Sequence, residues 1–169
     1  MKIHSMMTQV LAVLVAAVLL LTTIACTQNQ IAQEVQIIGN AGASLAAILN
    51  NPTLAAKLKT DTADAVAAVN AWKQGTSCQN VTQAIQILMT DYNDIAATFG
   101  SAVPANISAL IGLATTTALA ILALLPGCQP PVGLKATPGV VPATDAKDFK
   151  AKWNKIVESD PSLAGAKIK

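Results

Sequence analysis

The chain contains no arginine and one histidine, His4, and aromatic residues make up only 3% of it. Without arginine there is no planar guanidinium fork for bidentate contacts to phosphates or base edges. The 11 lysines against 9 acidic residues give a net charge of +2, too small for the electrostatic footprint of a nucleic-acid binder. Nucleic acid is therefore not an expected partner. With its only histidine at position 4, the rest of the chain lacks the usual general base near neutral pH and the commonest transition-metal ligand. Few aromatics also means no stacking platform for sugars or bases. Serines are present, but a serine hydrolase would need a histidine and a nucleophile elbow that the sequence does not supply. These absences point to no catalytic residue, no metal and no cofactor. What is abundant is Ala, Leu, Ile and Val, with Thr, Asn and Gln between them. That is a helix-packing composition.

The first nine residues carry Lys2 as their only full charge and lead into an apolar run from Val10 to Leu21. The run has the length of a signal-peptide core and is short for a membrane span. It ends in Thr22-Thr23-Ile24-Ala25-Cys26, a series of small or apolar residues before a cysteine. This resembles the lipobox of bacterial lipoproteins, with the small Ala25 placed where the signal peptidase must fit the residue before its cut. The resemblance implies that residues 1–25 are a signal peptide, that Cys26 is acylated and partners membrane lipid, and that the protein is exported to the bacterial cell envelope. Thr27, not Asp, after the cysteine implies an outer-membrane or periplasm-facing destination. Two or three acyl chains hold a protein on a bilayer where one binds only marginally. The competing reading is an uncleaved signal anchor with an ordinary cysteine at its end. The resemblance covers about the first 27 residues and carries nothing about the rest.

Removing residues 1–25 leaves 144 of the 169 residues, enough for one domain with a modest core. From Gln28 to Asn50, apolar or small residues at Ile31, Val35, Ile38, Gly42, Leu45 and Leu49 step 4-3-4-3-4, a helix stripe with a narrow seam. Asn40 and Gly42 are the places where it could loosen or bend. Asn50-Asn51-Pro52 reads as a stop, a cap and a proline at the first helical position. A second helix is expected from Pro52 to Gln74, with Leu54, Leu58, Ala65, Val69 and Trp72 inward, Thr62 interrupting and Gly75 turning the chain. In the third, Asn80-Val81-Thr82-Gln83 resembles a capping box. Its stripe is Val81, Ile85, Leu88, Tyr92, Ile95 and Phe99.

The fourth segment, residues 105–125, is uncharged and apolar on every face apart from Asn106, Ser108 and Thr115-Thr116-Thr117. It is long enough to span a bilayer and equally suited to the centre of a bundle. The threonines form either a polar seam in a membrane helix or hydroxyls that bond back to the preceding turn. The cysteines weigh on the choice. With Cys26 acylated, Cys78 and Cys128 remain as a pair in an oxidising compartment; two free thiols are the alternative. In an antiparallel hairpin turning at 100–103 the two lie side by side, whereas a membrane-spanning fourth helix would put them in different compartments.

Residues 129–143 are rich in Pro and Gly and read as an extended, semi-rigid linker. Thr144-Asp145 caps a last amphipathic helix to about Ser159, and residues 144–169 form a C-terminal piece. Residues 129–169 hold seven lysines against four acids. Two roles are open for the last helix. Trp153 and Phe149 with Lys150, Lys152 and Lys155 form an interaction surface that lies on anionic lipid, or the rings dock on the bundle and the lysines face water. Asp61 with Asp64 and Asp91 with Asp94 are carboxylate pairs three apart that could share a cation or proton, yet they flank the apolar stripes as a solvated rim would. The expectation is an all-α protein: an antiparallel bundle of about four helices over 26–128, closed by Cys78 and Cys128, a linker, and a C-terminal amphipathic helix. The expected function is a non-catalytic, lipid-anchored envelope lipoprotein that binds or scaffolds an unknown envelope protein. The rival is a small integral membrane protein with residues 105–125 across the bilayer, a lysis or pore-type factor.

Overall fold

Helix boundaries follow local chemistry wherever a cap is present. Asn51 accepts the Leu54 N–H at 3.0 Å and Pro52 stands at the first position, so the helix Pro52–Ala71 begins where the sequence says it should. Asp145 accepts from Asp148 N–H at 2.8 Å and starts the last helix in the same way. The capping box expected at Asn80 does not form. The helix instead starts at Gln79, after Cys78, and its first backbone bond runs from Thr82 N–H to the Cys78 carbonyl at 2.9 Å.

The structure, a computed structural model, describes residues 28–129 and 135–169. Among these the elements are α1 (28–48), α2 (Pro52–Ala71), α3 (Gln79–Ala97), α4 (Ala105–Leu124), α5 (Ala146–Glu158) and a closing 3-10 turn, Pro161–Ala166. The protein is all-α, and the helices pack into an antiparallel bundle around one apolar core. Residues 1–25, expected to be a signal peptide, and Cys26, expected to be acylated, lie outside the described residues.

Each stripe read from the sequence turns inward. Ile31, Val35, Ile38 and Leu45 of α1, Leu58 and Val69 of α2, and Ile85, Leu88 and Ile95 of α3 are buried. Gly42 does not bend α1; it makes room. A Cβ there would stand 2.8 Å from the Tyr92 ring, and the Tyr92 hydroxyl donates to the Ile38 carbonyl at 2.5 Å. Burial pushes the Tyr92 phenol far above its ordinary range, so it stays a donor. Thr62 does not interrupt α2. It is buried, bonds back to the Leu58 carbonyl, and sits against Gly39, where α1 has no side chain to hold it off.

α4 is the central helix. Thirteen of its twenty residues are buried, between α3, α5 and the segment that leads into α5. That last segment is the largest departure from expectation. Of the expected extended, semi-rigid linker over 129–143, residues 130–134 lie outside the described residues, and residues 135–143 run back along α4. Thr137 N–H donates to Thr116 Oγ1 and Ala143 N–H to Thr117 Oγ1, each at 3.0 Å. Gly112 faces Thr137, where a Cβ would come within 3.2 Å. Only Thr115 bonds back to its own helix, at 2.9 Å to the Ile111 carbonyl. The C-terminal piece thus shares the core with the bundle.

Candidate functional site

At one end of the bundle the start of α1 meets the end of α2. The Gln28 amide donates to the carbonyls of Val69 (2.6 Å) and Trp72 (2.8 Å), with a longer bond to Asn70 (3.2 Å). Carbonyls at a helix C-terminus are short of intrahelical partners, that of Val69 having only a 3.3 Å bond from Trp72 N–H, so a side chain two residues after Cys26 is built into the bundle. Beside it, Cys78 before α3 and Cys128 after α4 lie at disulfide distance, with Cα atoms 5.2 Å apart, within the range a disulfide needs.

The same end carries a cavity of about 510 Å³ between α1, the exit of α4 and the entry of α5. Glu34 and Asp145 face it, Lys147 stands at its rim, and Ile31 and Leu124 supply apolar wall. Glu34 is only 9% exposed. Among the described residues, its carboxylate accepts no hydrogen bond and joins no ion pair. Burial first, and the Asp145 charge second, raise the Glu34 carboxyl above its usual range.

In the middle of the bundle lies a second charged group that the sequence concealed. The carboxylate pairs within α2 and within α3 do not form, because Asp64 and Asp94 point to solvent. Instead Asp91 is fully enclosed, and Lys57 reaches from α2 to pair with both Asp91 and Asp61, at 2.9 Å to the latter. Asp91 follows Leu88 by three and precedes Ile95 by four, and Glu34 stands likewise between Ile31 and Ile38. Both acids therefore sit at core spacing, the signal that could have found them. Desolvation raises the Asp91 carboxyl to about 6 against the opposing pull of Lys57. Asp61 feels partial burial too, but its hydrogen bonds with Asp91 and Lys57 hold it below the usual range.

A group whose folded pKa is raised keeps a proton that the unfolded chain has already lost. Asp91 therefore contributes full stability below about pH 4, and that contribution fades as pH rises through about 6. The lost part is about 3 kcal/mol, from roughly two pKa units at about 1.4 kcal/mol each. Urea unfolding at pH 4.5 and 7.5 is expected to show wild type weaker at the higher pH. Asp91→Asn should lose most of that difference. Glu34 contributes with the same sign in both proteins, so the gap between wild type and variant reports Asp91 together with Asp61, to which it is tied; equal slopes for the two proteins would exclude this account.

The expected interaction surface on α5 is only partly present. Trp153 and Phe149 are buried, 0% and 1% exposed, so neither ring belongs to a surface. They pack at a centroid distance of 5.7 Å and Trp153 Nε1 donates to the Ala166 carbonyl at 2.9 Å. The physical reason is that α5 needs a core for its apolar face, and α4 with the 3-10 turn provides one. Lys152 is tied to Asp148 (2.8 Å) and to the Pro142 carbonyl (2.9 Å). Lys155 is exposed and Lys150 half-buried. No cluster of three or more His, Cys, Asp or Glu side chains gathers among the described residues. Comparison of the chain with protein-family models, with curated proteins and with solved structures finds no match.

Proposed function

We propose that the protein is a lipid-anchored lipoprotein of the bacterial cell envelope, whose helical bundle stands end-on at the membrane and binds or scaffolds another envelope component without catalysis. The observation that carries this reading is the position of Gln28. Cys26 ends the lipobox-like segment, and Gln28 is already bonded into the end of α2. Two residues span at most about 7 Å, so acyl chains on Cys26 would hold that end of the bundle at the headgroups. The 20-residue helices α2 and α4 measure about 30 Å. They would carry the α1–α2 turn, the α3–α4 turn and the C-terminal 3-10 turn away from the lipid as the surface a partner meets. The disulfide-distance cysteine pair near the anchored end fits an oxidising compartment. The absence of catalysis is supported by the lack of histidine after position 4 and by the full enclosure of Asp91, which no substrate atom reaches.

The rival, a membrane-spanning α4, is favoured by its hydropathy alone. Of its most apolar stretch, 72% is buried inside the bundle, which supports the anchored reading instead. Cys26→Ser should remove the lipid adduct from the intact mass and move the protein from the membrane to the soluble fraction. Membrane retention of the variant, with residues 135–169 shielded from protease in spheroplasts, would favour the spanning helix.

A further inference from the structure

We propose that the cavity between α1, the exit of α4 and the entry of α5 binds a small aliphatic amine, its ammonium held by Glu34 and Asp145 and its alkyl chain laid against Leu124.

Glu34 is nine-tenths buried and lines this cavity without a hydrogen-bond or ion-pair partner among the described residues. The Glu34 oxygens open onto the cavity and are not sealed in protein, so a cation entering it would meet a carboxylate that has already lost much of its water. The second carboxylate facing the space, Asp145, adds repulsion, and only one of its oxygens is used, in capping α5. The C-terminus of α4 ends at Leu124 on the same wall, and its macrodipole adds partial negative charge. The opposing charge is Lys147 at the rim, an exposed side chain that pairs with neither acid in the structure. The balance attracts a cation.

Shape and lining decide which cation. A bare divalent ion needs six to eight oxygens or a tight octahedron, and here two carboxylates, the Gln30 and Gln33 amides and the Thr144 hydroxyl are spread around about 510 Å³. That volume suits a small organic molecule. Leu124 is 57% exposed, the largest apolar exposure on any helix here, and together with Ile31 and Ala146 it offers the apolar wall that an alkyl chain would cover. A short chain with an ammonium head matches both features. The site does not depend on acylation of Cys26, so it stands or falls apart from the anchored reading.

The probe is n-pentylamine, titrated by calorimetry and amide NMR into the full chain in non-ionic detergent, with 1-pentanol as the neutral control. Saturable pentylamine binding that shifts the amides of Gln30–Glu34 and Thr144–Lys147 is expected, with pentanol weaker by on the order of tenfold or more. Binding should strengthen as rising pH ionises Glu34, whose carboxyl is held above its usual range. Glu34→Gln, nearly isosteric, should weaken pentylamine by a similar factor and leave pentanol and the circular dichroism spectrum unchanged; Asp145→Asn serves as the second variant. Equal affinity for amine and alcohol, or unchanged amine binding in Glu34→Gln, overturns the proposal, as does any response that fails to saturate.

Discussion

Replacing Cys78 and Cys128 by serine is expected to lower the unfolding free energy by about 4 kcal/mol, the loop-entropy value for a closure of about fifty residues. The two residues lie outside the helices they join, one just before α3 and the other beyond α4, so the link holds a hairpin whose halves already pack. Its effect therefore lies mainly in the unfolded chain, which loses a large loop. Serine at both sites should leave the helix content unchanged while the melting temperature falls by about 10–15 °C, at roughly 3–4 °C per kcal/mol for a domain of this size. Alkylation provides the companion measurement: neither thiol should react before reduction, and both should react after it. Free reaction of both thiols in the unreduced protein, or a melting temperature indifferent to reductant, would remove the bridge from the account.

Trp153→Ala is the second large effect. The ring is wholly enclosed, stacked near Phe149 and bonded to the Ala166 carbonyl. Truncating a buried tryptophan leaves a cavity costing about 3–5 kcal/mol, and here it also strips a buried carbonyl of its donor. The 3-10 turn should come loose with it, because Leu163 and Ala166 pack on the same face. The expected result is a melting temperature lowered by about 10 °C or more, with new proteolytic cuts between 159 and 169. Trp153→Phe should recover most of the stability and none of the Nε1 bond. If Trp153→Ala melts with wild type and its fluorescence loss is the only change, the docking of α5 described above is wrong.

These effects also show how far the residues themselves announced the structure. The stripes Ile31–Leu45, Leu54–Val69 and Val81–Ile95 name the core faces of three helices, because apolar side chains at 3.6-residue spacing have one place to go. Asn51 and Asp145 fix two helix starts for equally local reasons. Asn80 fails as a cap because the helix has already begun at Gln79, behind Cys78, which leaves Asn80 inside the first turn. Asp91 and Glu34 were hidden for the converse reason. A charged residue at a core position looks like the edge of a stripe until the neighbouring helix is placed, and only then do Lys57 and Asp145 become its surroundings. The return of residues 135–143 along α4 was not legible at all. Proline and glycine announce a turn at Pro138-Gly139, where Val140 N–H closes on the Thr137 carbonyl at 3.1 Å, but no local signal says that the amides beyond will find hydroxyls some twenty residues earlier.

Those hydroxyls have a consequence for the history of the chain as well as for its resting form. A stretch as apolar as α4 is what a secretion channel normally releases sideways into lipid, and the decision is most sensitive to polarity at the middle of the segment. Thr115, Thr116 and Thr117 occupy that middle. For an exported chain they argue for continued passage, and once across, Thr116 and Thr117 give the Thr137 and Ala143 amides their acceptors. Retreat into hydrocarbon would give up both bonds and leave the Thr116 and Thr117 hydroxyls only their own helix to bond to. The three threonines would thus deter escape from the channel, and two of them would then fasten the returning segment to the helix.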